Sequence, residues 1–161
     1  NSFENHLNLA NILYRMGSLK EAVHNFRKAI ALNPSLVEAH YNLGNVLGQQ
    51  GQLQKAKESF EKAISLNEKL PLPHYGLGII HQRSGENSKA IEAFKQALSL
   101  DPKLDQAHYF LGEIFLLEDL VNSLRLFSEL ARNGENHLFF RKGTPKSHEN
   151  HPKPVEFLVF W

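Results

Sequence analysis

The sequence has no cysteine among its 161 residues, and it has no excess of either charge. Without cysteine, the chain cannot form disulfide bonds, thiolate metal sites or a cysteine nucleophile. Its 18 lysine and arginine residues oppose 17 aspartate and glutamate residues, which gives a formal net charge of +1. Such a balance does not favour nucleic acid as a partner. We therefore expect neither redox chemistry at sulfur nor a nucleic-acid surface.

Long apolar runs and targeting signals are also missing. No apolar stretch approaches the roughly 20 residues that span a bilayer, and the first residues, NSFENHLNLAN, do not form a signal peptide. We expect no membrane partner and a cytoplasmic location, with the nucleus as the alternative. The chain begins at Asn1 rather than methionine, which leaves open that it is a piece of a longer protein.

Motifs for catalysis are missing as well. The sequence contains no phosphate-binding glycine loop, no nucleophile elbow and no zinc-protease motif. We therefore expect that the chain is not an enzyme and carries no cofactor.

What the sequence does contain is a repeat of 34 residues. Its units are 3–36, 37–70 and 71–104, and a degraded fourth unit covers 105–137. A fixed period of this length is the signature of a stack of similar helical units. The positions that coincide are His6, His40, His74 and His108; Leu9, Leu43, Leu77 and Leu111; Ala10, Gly44, Gly78 and Gly112; Gly17, Gly51 and Gly85; Ala22, Ala56 and Ala90; Phe26, Phe60 and Phe94; and Ala29, Ala63 and Ala97.

The fourth unit loses one residue where its mid-unit glycine should stand, within FLLEDLVNS at 115–123. If that deletion is allowed, Phe127 returns to the aromatic position of the repeat. We therefore expect a degraded fourth helix pair.

This pattern resembles the tetratricopeptide repeat, which has a small residue after leucine, a mid-unit glycine, an alanine, an aromatic residue, a second alanine and a closing proline. The resemblance covers residues 3–133. It departs from the family where the four histidines occupy a position usually held by tryptophan or another large residue. It implies an all-α fold, a right-handed solenoid of antiparallel helix pairs that binds protein partners and has no chemistry of its own.

The residue pattern also supports paired helices directly. Ala56, Phe60 and Ala63 recur at helical spacing. Gly44 in mid-helix costs about 1 kcal/mol of helix propensity, so we expect a compensating close approach of the helix that carries Ala56. The same reasoning pairs Gly78 with the helix of Ala90.

The repeated histidine has two interpretations, a ladder of metal ligands or packing. At about 100° per residue, His40 falls on the same side of its helix as Leu43 and Leu47, and Tyr41 faces away. Neighbouring helices lie about 8–10 Å apart, whereas two imidazoles that share a zinc ion must each approach it to about 2.0–2.1 Å. We therefore predict packing and no metal site.

The opposite side of the first helices predicts the binding site. In the family, these helices line the concave surface that usually holds a partner. Carboxamides suit the backbone groups of an extended peptide, and tyrosines supply contact area. The alternative is a solvated polar face. The predicted peptide-binding residues are Asn8, Asn11, Tyr41, Asn42, Asn45, Gln49, Tyr75, Ile79, Arg83, Tyr109 and Phe110.

Two groove types known in the family fit this sequence only in part. The asparagines resemble a ladder that holds peptide backbones, but Gly76 and Phe110 interrupt it. Other members grip a C-terminal carboxylate with lysines and an arginine, and the matching positions here are Leu7, Leu72 and Gly76. We therefore do not expect that carboxylate grip.

Residues 138–161 form a separate segment, in which GTPKSHENHPKP at 143–154 is typical of a linker. The chain then ends with five apolar residues, Phe157 to Trp161. One hypothesis is that they fold back onto Phe115, Leu116 or Leu126, or into the groove beside Tyr109 and Phe110. The alternative is a frayed terminus or the stub of a longer chain.

The sequence thus predicts a protein-interaction scaffold that binds a peptide segment of a partner in its concave groove. The alternative is that the repeats are the substrate-recruiting arm of a larger enzyme, such as a glycosyltransferase, whose catalytic domain lies outside this chain.

The buried alanine of the repeat gives a first test. Ala56→Leu should overpack the helix pair and lower the free energy of unfolding by about 1–3 kcal/mol. Chemical denaturation of the two proteins measures the difference, and an unchanged midpoint would contradict the close packing predicted here.

Overall fold

The structure is a computed structural model that describes residues 2–132. The predicted linker and apolar tail, residues 138–161, lie outside the described residues. The described part of the chain forms helices without strands: α1 Phe3–Arg15, α2 Leu19–Leu32, α3 Val37–Gln49, α4 Leu53–Leu66, α5 Pro71–Arg83, α6 Asn87–Leu100 and α7 Asp105–Arg132. None of these helices is both long enough and apolar enough to cross a membrane.

Glycines make the turn inside each of the first three units. Gly17, Gly51 and Gly85 have φ angles of 79°, 74° and 75°, a left-handed conformation that costs glycine little. At the first turn, the Gly17 N–H donates to the Tyr14 carbonyl at 3.0 Å and the Ser18 N–H donates to the Leu13 carbonyl at 2.9 Å. This is the Schellman arrangement, which ends one helix and directs the chain back along it.

The helices stack as an all-α solenoid of antiparallel pairs, as predicted. α1 packs on α2, α3 on α4 and α5 on α6, while α2 contacts α3 and α4 contacts α5. One phenylalanine from each second helix lies almost fully buried: Phe26, Phe60 and Phe94. Because each helix pair shares its apolar face with the next pair, stability comes from the stack rather than from single units.

The mid-helix glycines make the close approach that the sequence predicts. A Cβ atom on Gly44 would lie 2.8 Å from Cε1 of Phe60, and one on Gly78 would lie 2.6 Å from Cε1 of Phe94. The approaching helices are the predicted ones, α4 with Ala56 and α6 with Ala90, and the residue of each that reaches the glycine is the phenylalanine. Ala56 is fully buried and faces Gly48.

The fourth unit also differs from the expectation of a helix pair. α7 runs without a break through 115–123, where the other units have a turn glycine, because this stretch contains no glycine to adopt the left-handed conformation at little cost. Phe127 is 71% exposed and does not fill the buried aromatic position. Within the described residues, the chain divides after Leu120. The part that follows is the end of α7, residues 121–132.

A charged cluster closes the turn between α5 and α6. The buried His81 donates from Nδ1 to Oε2 of Glu86 at 2.6 Å, and Nζ of Lys89 lies 2.7 Å from Oε1. These two hydrogen bonds, the one from Lys89 first, lower the pKa of Glu86 from its ordinary value of 4.5 to about 2. A carboxylate with a lowered pKa stabilises the folded state above its unfolded pKa, and this stabilisation is lost as the pH falls towards 2.

We therefore expect Glu86→Gln to lower the free energy of unfolding at neutral pH, by an amount that shrinks as the pH falls from about 4.5 to about 2. Urea denaturation across this pH range measures it. Glu92→Gln, which removes the same charge from an exposed position of α6, is the matched control. If both substitutions lowered the free energy of unfolding equally, the effect would come from the change in net charge and not from the loss of the His81–Glu86–Lys89 cluster.

Candidate functional site

Three of the repeated histidines bind the loop that joins their unit to the preceding one. Nε2 of His40 donates to the Pro34 carbonyl at 3.0 Å, Nε2 of His74 to the Glu68 carbonyl at 3.0 Å, and Nε2 of His108 to the Pro102 carbonyl at 3.1 Å. Each acceptor lies six residues before its histidine. The predicted burial is found for His40, whereas His74 is half-buried and His108 is exposed. These three histidines are structural anchors between units.

The first histidine uses a different contact. Nδ1 of His6 donates to Oδ1 of Asn25 at 3.0 Å, and the amide of Asn25 donates to the Glu21 carbonyl. Within residues 2–132, no three His, Asp or Glu side chains lie together where they could hold a metal ion.

The predicted binding residues lie on the first helix of each unit, which is α1, α3, α5 or residues 105–120 of α7. We call the side of these helices that carries the predicted residues the groove face. The structure brings them together in two groups. Asn11 and Asn42 meet at the contact between α1 and α3. Five others surround a cavity between α3 and α5: Asn45, Gln49, Tyr75, Ile79 and Arg83. Asn8 and Tyr109 lie exposed and do not line this cavity.

The asparagines of the first group bind each other. Nδ2 of Asn42 donates to Oδ1 of Asn11 at 2.9 Å, and Nδ2 of Asn11 donates to Oε1 of Glu38 at 3.0 Å. A carboxamide has two N–H donors and one oxygen acceptor. Asn42 therefore keeps one donor and its oxygen for other contacts, and its side chain is already oriented by Asn11.

Two further bonds cross between first helices at the other end of the groove face. Nε2 of Gln49 donates to the hydroxyl of Tyr14 at 2.8 Å, and Nη1 of Arg83 donates to the Gly48 carbonyl at 2.6 Å. Gly48 stands in the last turn of α3, where a positive charge is favoured, and its carbonyl also accepts a hydrogen bond from the Gly51 N–H at 3.1 Å. The guanidinium of Arg83 is thereby fixed at the edge of the cavity.

The cavity between α3 and α5 has a volume of about 170 Å³. The aromatic ring of Phe60 and the aliphatic side chains of Ile79 and Ile80 give it an apolar surface. Its full lining is Tyr14, Gly44, Asn45, Gly48, Gln49, Phe60, Tyr75, Gly76, Ile79, Ile80 and Arg83. It thus combines an apolar interior with carboxamides, hydroxyls and one cation.

Two glycines outside the repeat pattern line this cavity. Gly48 occupies the position of Tyr14 in the first unit, and Gly76 occupies that of Asn42 in the second. Gly48 contributes no side chain to the cavity, and Gly76 lets the Phe60 ring pack against its backbone, 2.6 Å from where a Cβ atom would stand. Tyr14, Gly48 and Phe60 were not predicted as cavity residues, although a glycine that appears in only one unit was the signal that could have indicated the cavity.

The tyrosines are partly core residues. The Tyr41 ring lies 6.0 Å from the Phe60 ring, and the Tyr75 ring lies 5.8 Å from the Phe94 ring. Burial raises the pKa of Tyr75. Tyr109 is 67% exposed and touches the Phe110 ring edge-on at 5.4 Å. Tyr41 and Tyr75 thus offer only one side of the ring to the groove face.

A second recess, of about 400 Å³, lies at the start of α3 and α5 and is largely apolar. Its lining is Val37, Glu38, Tyr41, Leu70, Pro71, Leu72 and Pro73. Leu72, one of the positions where a carboxylate-binding lysine would stand, contributes an apolar wall here.

The histidine anchor can be tested at its buried site. His40→Phe preserves a ring of similar size but leaves the Pro34 carbonyl without its donor, which should lower the free energy of unfolding by about 0.5–1.5 kcal/mol. Thermal unfolding followed by circular dichroism measures it. His24→Phe, on the exposed side of α2, is the control. Equal stabilities of the two variants would argue against the anchor.

Comparison with solved structures finds the same fold in several proteins. A crystal structure of MamA is 26% identical, with a TM-score of 0.71, and the match covers 84% of this chain and 80% of MamA. The TPR domain of Arabidopsis OM64 is 20% identical, with a TM-score of 0.69, over 70% of this chain and 93% of that domain. The first TPR of Spaghetti (RPAP3), bound to the HSP90 peptide SRMEEVD, is 16% identical, with a TM-score of 0.71, over 73% and 94%.

Family models match the repeats directly, whereas no curated protein matches the chain. A TPR repeat model matches residues 10–51, and a tetratricopeptide repeat model matches residues 37–70 and 71–104. Together they cover more than half of the 161 residues. The chain belongs to the tetratricopeptide repeat family, whose repeats build protein-interaction scaffolds.

Proposed function

We propose that the chain binds an extended segment of a partner protein along its groove face. The observation that carries this proposal is the open cavity between α3 and α5, which offers apolar surface and hydrogen-bonding side chains to the same ligand. Peptide segments need both, because alternate side chains seek pockets while their backbone N–H and C=O groups seek partners.

The polar groups support a backbone-binding role. Asn45 is half-buried on the cavity wall and Gln49 stands beside it. Each carboxamide can give and accept a hydrogen bond. Asn42, held by Asn11, offers a further donor and acceptor one turn away. These groups form a short polar track along α3 that runs past the cavity.

The partner is proposed to be a protein segment, bound without catalysis, rather than nucleic acid, a membrane or a metal ion. The cavity lining holds only one cation, Arg83, whereas a nucleic-acid surface presents several. We propose the cytoplasm as the place of this binding.

The solved relative bound to an HSP90 peptide shares the fold at 16% identity, which supports a groove of this general kind and does not identify the ligand. The positions that would hold a C-terminal carboxylate are Leu7, which is buried, Leu72 and Gly76. None carries a positive charge. We therefore propose a segment recognised by its backbone and side chains, not by its terminal carboxylate.

Selection from a random-peptide display library on the full chain tests this function. Peptides that bind the groove face should lose at least about tenfold in affinity for Asn45→Ala/Gln49→Ala, equivalent to about 1.4 kcal/mol. The two substitutions are at surface or half-buried positions, so the free energy of unfolding should stay within about 1 kcal/mol. Fluorescence anisotropy of labelled peptides measures the affinity.

Gln54→Ala/Gln96→Ala is the matched control, because it removes two exposed carboxamides from second helices, α4 and α6. It should leave the affinity unchanged. If every selected peptide binds the Asn45→Ala/Gln49→Ala variant as tightly as the original chain, the groove face is not the binding site.

A further inference from the structure

The three contacts between successive first helices differ at one repeated position. We call these contacts the α1–α3, α3–α5 and α5–α7 seams. The position is held by Asn42 at the first seam, Gly76 at the second and Phe110 at the third. Asn42 fills its seam with a hydrogen bond to Asn11. Phe110 fills its seam with a ring. Gly76 has no side chain, and the Phe60 ring packs against it, 2.6 Å from where a Cβ atom would stand; the cavity lies beside this contact.

The third seam contains a cluster of three aromatic rings. The Phe110 ring stacks on the Phe94 ring, with centroids 5.7 Å apart and planes at 8°, and the Tyr75 ring lies 6.1 Å from it. One unit earlier, Phe60 and Tyr41 occupy the positions of Phe94 and Tyr75. The second seam therefore holds two of these three rings, and α5 contributes Gly76 where α7 contributes Phe110.

We propose that the α3–α5 cavity is a specificity pocket for an aromatic side chain of the bound segment, which carries an acidic residue next to that aromatic residue. This proposal rests on the proposed function. The cavity volume of about 170 Å³ is adequate for a ring, since an engineered cavity of about 150 Å³ binds benzene. The partly exposed Tyr75 and Ile79 supply apolar contacts at the cavity wall, and the buried side chains of Phe60 and Ile80 form its floor.

The acidic neighbour is inferred from the charge at the rim. Arg83 is fixed there by its bond to the Gly48 carbonyl, and that bond uses only one of the five guanidinium N–H donors. The cavity lining contains no aspartate or glutamate that would neutralise it. A carboxylate beside the bound aromatic residue would receive a charge-assisted hydrogen bond from the remaining donors.

Gly48 permits a substitution that closes the pocket. A Cβ atom there would meet Cδ1 of Ile80 at 3.2 Å and Cβ of Ala56 at 3.9 Å. The closer atom is the end of a flexible side chain, so a small shift accommodates it. Gly48→Gln introduces the residue that stands at the same repeat position in α5, Gln82, and directs a side chain across the cavity mouth.

Random-peptide display on the full chain, followed by anisotropy with the selected peptides, tests the pocket. We expect peptides with a Phe, Tyr or Trp beside an Asp or Glu. Replacing the aromatic residue by alanine in the peptide, or using Gly48→Gln, should weaken binding by at least about tenfold. Arg83→Gln should weaken binding of the acidic peptide and reduce its salt dependence, because it removes the partner of the carboxylate.

The controls change the same residue types elsewhere. Gly112→Gln lies in α7 where a Cβ atom would meet nothing within 4 Å, and Arg27→Gln lies on the exposed side of α2. Both should bind the peptides as the original chain does. The peptide substitutions use the unaltered chain, so they decide the matter even if Gly48→Gln fails to fold.

The outcomes separate this inference from the proposed function. Selected peptides that need Asn45 and Gln49 but lack an aromatic residue, or that bind Gly48→Gln at full affinity, would overturn the pocket and leave groove binding intact. Both the pocket and groove binding would be overturned if the selected peptides bound Asn45→Ala/Gln49→Ala with unchanged affinity. A selection that yields no binder would also overturn both.

Discussion

Insertion of one aromatic ring from each second helix against the backbone of first helices holds the described repeats together. Phe60 shows this most clearly, since its ring touches Gly44 in its own unit and Gly76 in the next. A ring that contacts two units at once couples them, as expected where stability arises between neighbouring repeats. The positions of the groove-face helices, and hence of every side chain on them, follow from this contact.

Much of the fold could be predicted because the sequence signals for it lie within one unit and recur in several units. The 34-residue period, the turn glycines and the spacing of Phe60 with Ala56 and Ala63 are local signals. The helix that approaches Gly44 was predicted, but its contacting residue, Phe60, was not, because which buried residue reaches the glycine depends on side-chain length. The fourth unit has no turn because one glycine is missing. A helix pair was nevertheless predicted there, because Phe127 matched the aromatic position of the repeat.

The candidate site was predictable only where it repeats. Asn42 and Asn45 were found by their side of the helix, but the bond from Asn42 to Asn11 on α1 depends on how units stack. The cavity is lined by Gly48 and Gly76, which depart from the repeat and therefore carry no periodic signal. Sequence patterns do not display whether a neighbouring ring or a space takes the place of an absent side chain. In this molecule the repeated residues build the scaffold, and the departures from the repeat shape its binding surface.

The histidine anchors have a consequence for the groove face. His40, His74 and His108 each use Nε2 as a donor to a carbonyl oxygen of the loop that precedes their unit. Because each of these histidines stands on a first helix, every such loop is fastened to the groove-face helix that follows it. A substitution that moves one of these loops would therefore also move groove-face side chains, even where the substituted residue contacts no ligand.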